Sequence, residues 1–149
     1  MSLDTASDHL VPIADIEAAR ERLVGRVHRT ALLSSATAAA WVTAATGARI
    51  GDGRLYLKPE QLQKTGSFKP RGMLAKLLTL PAEERKRGAI TFSAGNAAQG
   101  LAYAGAITDT PVTVVMPEAA SPAKAAATRG YGARVVLHGG IAEAYARCM

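Results

Sequence analysis

An α/β fold with a parallel sheet and flanking helices is predicted by three features of the 149-residue sequence. Three short, largely apolar runs, over residues 89–92, 111–116 and 134–137, have the length and β-branched content of strands. Each is followed by a small-residue turn and a helix-forming segment: 96 to about 107, 122–129, and a last helix from about 141. The run over 111–116 is almost purely apolar, as a strand covered on both faces should be. Strand and helix alternate through short links, which argues for right-handed crossover units on a parallel sheet and not for a solenoid.

Upstream, Ile16, Ala19 and Leu23 recur at helical spacing and predict a first helix over 15–24. Ser34 or Ser35 is a suitable N-cap for a second helix through Trp41 to about Thr46, with Gly47 as its stop. Trp41 is expected in the core. Gly51, Asp52 and Gly53 form a turn into a short alternating strand over 54–58. Pro70 opens a third helix over 70–80, whose Met73, Leu74, Leu77 and Leu78 share one apolar face. Residues 83–87, two acids followed by three bases, read as a solvated helix end. The run over 134–137 is expected to be buried. The last helix reaches Met149 without a C-cap glycine, so the chain reads as cut off.

Composition narrows the function classes. Apolar residues make up 48% and charged residues 20%, which fits a globular chain with a core. No apolar run approaches the roughly eighteen residues of a membrane span. Residues 1–10 lack a basic region followed by an apolar one, so no secretory signal is expected. The single cysteine, Cys148, excludes an intrachain disulfide, and a reducing cytoplasm is the expected compartment. A net charge of +6 raises a nucleic-acid reading. The basic residues, however, are scattered from Arg20 to Arg134, and no basic–aromatic interleaving offers bases a stacking surface. The excess charge better suits a small anionic ligand. His9, His28 and His138 have no second ligand at metal-like spacing, so no metal site is indicated.

Two constellations carry chemistry. The first is Lys64-Thr65-Gly66-Ser67-Phe68-Lys69-Pro70-Arg71-Gly72. Pro70 sets a helix start and is expected to hold Lys69 extended just before it. A lysine there lies near the positive end of a helix dipole, which disfavours an ammonium, and Phe68 adds desolvation. An amine that must form an imine needs a population of free base. The plainer reading of the same residues is a solvated lysine at a helix entry. The Walker A spacing is absent.

The second constellation is Ser93-Ala94-Gly95-Asn96-Ala97-Ala98-Gln99-Gly100. It joins a strand end to a helix start, where open α/β sheets bind ligands. Small residues let a ligand approach the backbone, and the first-turn amides suit a carboxylate or phosphate. Asn96 offers both a donor and an acceptor, and its plainer role is an N-cap. The dinucleotide spacing G-x-G-x-x-G does not occur here.

Residues 57–69 closely resemble the lysine segment of threonine dehydratases, and Ser93-Ala94-Gly95-Asn96 resembles their asparagine loop. A third match runs from Val115-Met116-Pro117-Glu118 through Ser121-Pro122-Ala123-Lys124 to residues 127–137. The resemblance is continuous from about Arg29 to Gly139, in the family's order and spacing. The chain is therefore similar to the N-terminal portion of fold-type II pyridoxal-phosphate enzymes of the threonine/serine dehydratase family. That implies a tryptophan-synthase-β-like fold, incomplete here. Residues 1–52 would be a helical segment of the large domain, and 53–149 the lysine segment and a small α/β domain. The remainder of the large domain would be absent.

The resemblance further implies that Lys69 holds pyridoxal phosphate covalently and, once released, takes the substrate's Cα proton. Phe68 would lie beside the cofactor ring, and Asn96 would hydrogen-bond its ring hydroxyl. Ser93, Gly95 and Ala97 would form the loop that closes on the substrate carboxylate. The implied reaction is dehydration and deamination of L-threonine, and of L-serine, to a 2-oxo acid and ammonia. The implied partner is a small amino acid, and the implied assembly a homo-oligomer.

Several positions depart from the family pattern. Ala31 replaces a usual proline, and Ala97 a frequent histidine. The glycine-rich loop for the cofactor phosphate and the polar residue at the pyridine nitrogen lie, in the family, beyond the last residue here. Gly139-Gly140 is no substitute, because it belongs to the third match. The chain alone is accordingly expected to be inactive. Ala94 stands where serine racemases of this fold carry a serine acid/base, and alanine transfers no proton, which favours dehydration. Pro70 after Lys69 argues against threonine synthases, which usually have aspartate there, and the loop differs from the Thr-Ser-Gly-Asn of cysteine synthases. The alternatives are a related serine racemase or other hydroxy amino acid lyase, or a non-catalytic truncated α/β domain.

Overall fold

The computed structural model describes residues 10–149, so the expectations for the first nine, His9 among them, lie outside the described residues. Helix α1 (Ile13–Leu23) follows Pro12 and starts two residues earlier than its spacing predicts. Leu23 is the buried residue of its stripe, whereas Ile16 is 53% exposed. Strand β1 (Leu33–Ser35) then runs directly into α2 (Ala36–Thr46). Ser35 closes the strand and caps the helix, its Oγ accepting from the Ala38 amide at 3.0 Å. Gly47 ends α2 in the left-handed region at φ 72°, as its position as a stop predicts.

Strand β2 (Leu55–Leu57) pairs antiparallel with β1, placing Ser34 opposite Tyr56. Trp41, expected in the core, is instead 71% exposed. Helix α2 is rich in alanine on every side and buries only Ala39, so its composition carries no stripe that would point the tryptophan inward.

Two 3₁₀ turns, Glu60–Leu62 and Lys64–Gly66, lead into α3 (Lys69–Thr79). Its predicted apolar face buries Leu74 and Leu77, with Met73 and Leu78 packed beside them. Residues read as a solvated helix end form a helix of their own, α4 (Ala82–Lys86), opened by Pro81.

The three predicted strands form one parallel sheet in the order β3 (Ala89–Phe92), β4 (Val112–Met116), β5 (Arg134–Leu137). Helices α5 (Asn96–Thr108) and α6 (Pro122–Gly130) are the crossovers, and α7 (Ile141–Cys148) follows β5. Right-handed crossovers in one direction put α5 and α6 on the same face. Val114 and Met116 point to that face, in a core shared with Ala98, Leu101 and Leu74. Phe92 lies opposite Val115 on the other face, where it meets Tyr145 of α7 edge-on at 5.8 Å. β4 is thus covered on both sides, as its sequence predicts. β5, expected to be buried, is an edge strand with Arg134 and Leu137 exposed, because only β4 pairs with it among the described residues.

Candidate functional site

Three loops leave the carboxyl ends of β3, β4 and β5 along one rim of the sheet, the place where open α/β folds hold ligands. They are tied together. The Ser93 amide donates to the Val115 carbonyl at 3.1 Å, and that of Glu118 to the Gly139 carbonyl at 2.9 Å.

The first of these loops opens α5. Ser93 Oγ accepts from the amides of Gly95 at 3.2 Å and Ala98 at 3.3 Å, so it caps the helix from within the loop. Gly95 occupies the N-cap position and Asn96 is the first helical residue, exposed, so Asn96 is not the N-cap of the plainer reading. The amides of Asn96 and Ala97 have no acceptor among the described residues, as expected of a first helical turn. A side chain at Gly95 would meet nothing within 4 Å, so the backbone there borders open space.

Lys69 departs from the extended conformation expected of a residue before proline. It is the first residue of α3, with Phe68 as N-cap in the right-handed helical region and Pro70 second. A proline that early has no intrahelical hydrogen bond to lose, so the helix can begin one residue ahead of it. The Lys69 amide faces Ser67 Oγ at 3.4 Å, and Nζ lies 4.7 Å from the centre of the Phe68 ring. Lys69 is half-buried, and Phe68 is 58% exposed. Gly100, one turn into α5, packs directly on Lys69: a Cβ there would lie 2.9 Å from Lys69 Cβ. Asn96, four residues earlier, shares that face of α5. The lysine segment and the asparagine loop, far apart in sequence, therefore converge.

A polar clamp adjoins the start of α3, and its Arg71 belongs to the lysine constellation. Arg71 Nε and Nη2 each donate to the Glu60 carboxylate at 2.7 Å, and Thr30 Oγ1 donates to it at 2.6 Å. Arg71 holds the Glu60 carboxyl down to about 2, with Thr30 assisting against burial. Gln63 accepts from the His28 amide at 2.7 Å and donates to the His28 carbonyl at 2.8 Å. Lys58 Nζ donates to the Thr30 carbonyl at 2.6 Å. The clamp fixes residues 28–30, 58–63 and the start of α3 to one another. Thr65 adds strain: it is a β-branched residue at φ 62° whose buried hydroxyl finds no partner.

A cavity of about 780 Å³ between α1 and α3 is lined by Ile16, Leu23 and the clamp residues His28, Lys58 and Arg71, and not by Lys69 or the 93–97 loop. Arg129, at the end of α6, is exposed, and so is His138, which opens the loop after β5 on the rim itself. Among the described residues, no three His, Cys, Asp or Glu side chains gather as metal ligands would, and no helix is long and apolar enough to cross a membrane.

The adjoining starts of α3 and α5 thus offer an amine, an exposed aromatic ring, a carboxamide and two helix-start amides. This donor set fits a flat aromatic aldehyde bearing anionic groups, with the amine for the aldehyde and the amides for an anion. Residues 15–149 match the model of the family described as pyridoxal-phosphate dependent enzyme. The chain is 47% identical over 137 residues to L-threonine ammonia-lyase of Thermotoga maritima, covering 91% of this chain and 32% of that protein. It is 44% identical over 129 residues to L-threo-3-hydroxyaspartate ammonia-lyase of a Pseudomonas species, covering 87% and 38%. It superposes on serine racemase from Dictyostelium discoideum with a TM-score of 0.77 at 36% identity, over 92% of this chain and 42% of that one. The chain spans about a third of the length of these curated relatives. With a family match over nearly its whole length, the chain belongs to the pyridoxal-phosphate dependent enzymes.

Proposed function

We propose that this chain is the lysine-bearing portion of a pyridoxal-phosphate dependent ammonia-lyase. Its reaction is dehydration and deamination of L-threonine, and of L-serine, to a 2-oxo acid and ammonia. The observation that carries the reading is the convergence of Lys69 with the 93–97 loop, through the contact of Gly100 with Lys69 Cβ. Similarity to a threonine ammonia-lyase at 47% identity supports the substrate class. In this reading residues 1–52 belong to a large domain and 53–149 form the lysine segment and small domain. A cytoplasmic location is supported by the single cysteine, and a homo-oligomeric assembly by family analogy alone.

The residues act as follows. Lys69 would hold the cofactor through its Nζ amine, and the same amine, when not bound, would take the proton from the substrate Cα. Phe68 would lie beside the cofactor ring, and the Asn96 carboxamide, with a donor and an acceptor, would hydrogen-bond its ring hydroxyl. Ser93, Gly95 and Ala97 receive the substrate carboxylate, and the Ala97 amide, with no acceptor among the described residues, is suited to that role. Bound pyridoxal phosphate supplies the electron sink for the pair left when the Cα–H bond breaks.

The serine racemase similarity favours one rival, a racemase. Ala94, in the loop that follows β3, offers no transferable proton on the second face of a substrate, which supports the lyase. The test is a chimera of this chain with the remaining two thirds of the Thermotoga maritima enzyme. There Lys69→Ala should lower release of 2-oxobutyrate from threonine by about a thousandfold or more. Turnover within tenfold of the unsubstituted chimera would overturn the role of Lys69.

A further inference from the structure

Helix α5 carries two glycines in its interior, Gly100 and Gly105, and a glycine there costs stability relative to alanine. Both are buried, and each is required by a close approach, but to different partners. A Cβ at Gly105 would lie 2.4 Å from Val112 Cγ2 and 2.7 Å from the Thr110 carbonyl oxygen, so this glycine seats the helix on β4. A Cβ at Gly100 would lie 2.9 Å from Lys69 Cβ, 3.1 Å from the Lys69 carbonyl carbon and 3.2 Å from the Pro70 nitrogen. None of these three atoms can swing aside by a rotamer change. Ala104, one turn on, is fully buried with its methyl in place, so the demand for a bare Cα is local to the contact with Lys69.

We infer that Gly100 is a positioning residue for Lys69: its missing side chain sets the distance between the lysine and the first turn of α5. The inference rests on the reading of Lys69 as the cofactor amine. Carbon atoms in ordinary contact stand roughly 3.5–4.0 Å apart, so a methyl at Gly100 would part the starts of α3 and α5 by something under about 1 Å. Asn96 and the amide of Ala97 ride on α5, one turn ahead of Gly100. Parting the helices therefore moves Lys69 away from the groups with which it must share one ligand. Misplacement of a reacting group on this scale lowers rates by up to about a hundredfold.

The experiment uses the purified chain with pyridoxal phosphate and borohydride, which reduces the lysine adduct to a stable amine that mass spectrometry assigns residue by residue. Lys69 should be labelled in preference to Lys76 and Lys124, both exposed. Gly100→Ala should lower the Lys69 rate about tenfold relative to those two. Ala102→Gly destabilises the same helix without touching Lys69 and should leave the ratio unchanged. A Lys69 ratio unaffected by Gly100→Ala, or lowered equally by Ala102→Gly, overturns the positioning role and leaves the function intact. No preference for Lys69 in the unsubstituted chain overturns both. Should Gly100→Ala lose its native circular dichroism, Asn96→Asp replaces it, since a carboxylate suits a first helical turn. A carboxylate one turn ahead of the Gly100–Lys69 contact favours the charged, unreactive form of an amine held there, so the Lys69 ratio at neutral pH should fall about threefold or more. An unchanged ratio there overturns the inference.

Discussion

Glu60 accepts three hydrogen bonds, two from Arg71 at 2.7 Å and one from Thr30 at 2.6 Å, and Arg71 is the main reason its carboxyl titrates at about 2. A carboxyl lowered in the folded state stabilises the fold fully above its unfolded value near 4.5, and the contribution fades as pH falls toward 2. Glu60→Gln should therefore cost about 1–2 kcal/mol at pH 7, and almost nothing near pH 2. Urea or thermal melts of both proteins at the two pH values check this. An equal difference at both would show that charge is not what the clamp uses. This pair was not legible in the sequence, because Arg71 follows Glu60 by eleven positions across two 3₁₀ turns and no helix or strand periodicity relates them. The sequence singles out Lys69 but does not give its conformation. Pro70 signals a helix start, yet local rules could not say that the helix begins one residue before it.

At the scale of elements, the first turn of α5 depends on Ser93, whose hydroxyl accepts from two amides that the helix leaves unpaired. Ser93→Ala should lower stability by about 1 kcal/mol, and Ser93→Asp should retain most of it. A thermal melt reads both, and equal loss in the two variants would mean that the cap is not what Ser93 provides. The strands β3 and β4 and the helices α2 and α5 were read closely because local signals mark them: a cap, a stop glycine, an apolar run. β1 was missed for a physical reason. It is three residues long, and its strand state is created by pairing with β2, some twenty residues away, while Ser35 already carries a cap signal for α2. β5 was recognised as a strand but not as an edge, since exposure depends on what lies beside it in the sheet. Trp41 failed likewise: its burial depends on which surface faces α2, and composition holds no record of that.

Over the whole molecule, large apolar side chains remain uncovered on and around α1, α2 and the β1–β2 ribbon. Val11, Ile13 and Trp41 are each more than 60% exposed. β3 and β5 each present one unpaired edge among the described residues. Surfaces of this kind associate, so the purified chain should sediment increasingly as oligomers when its concentration is raised. The same distribution bears on activity. The starts of α3 and α5 supply an amine and two free helix-start amides, which suit a reversible covalent adduct with pyridoxal phosphate, but holding a dianionic phosphate firmly takes several convergent donors. Elimination also needs the cofactor ring fixed against the substrate loop, because rates fall steeply with small misplacements. The chain spans about a third of the length of its curated relatives, and the proposed activity belongs to the complete fold. With pyridoxal phosphate and threonine, the chain by itself should therefore release no 2-oxobutyrate above a cofactor-only control, although borohydride still traps cofactor on Lys69. Joined to the remaining two thirds of the Thermotoga maritima enzyme, it should turn threonine over. Turnover by the chain alone at the rate of that chimera would show that the 93–97 loop and Lys69 suffice, and that the uncovered apolar side chains serve another purpose.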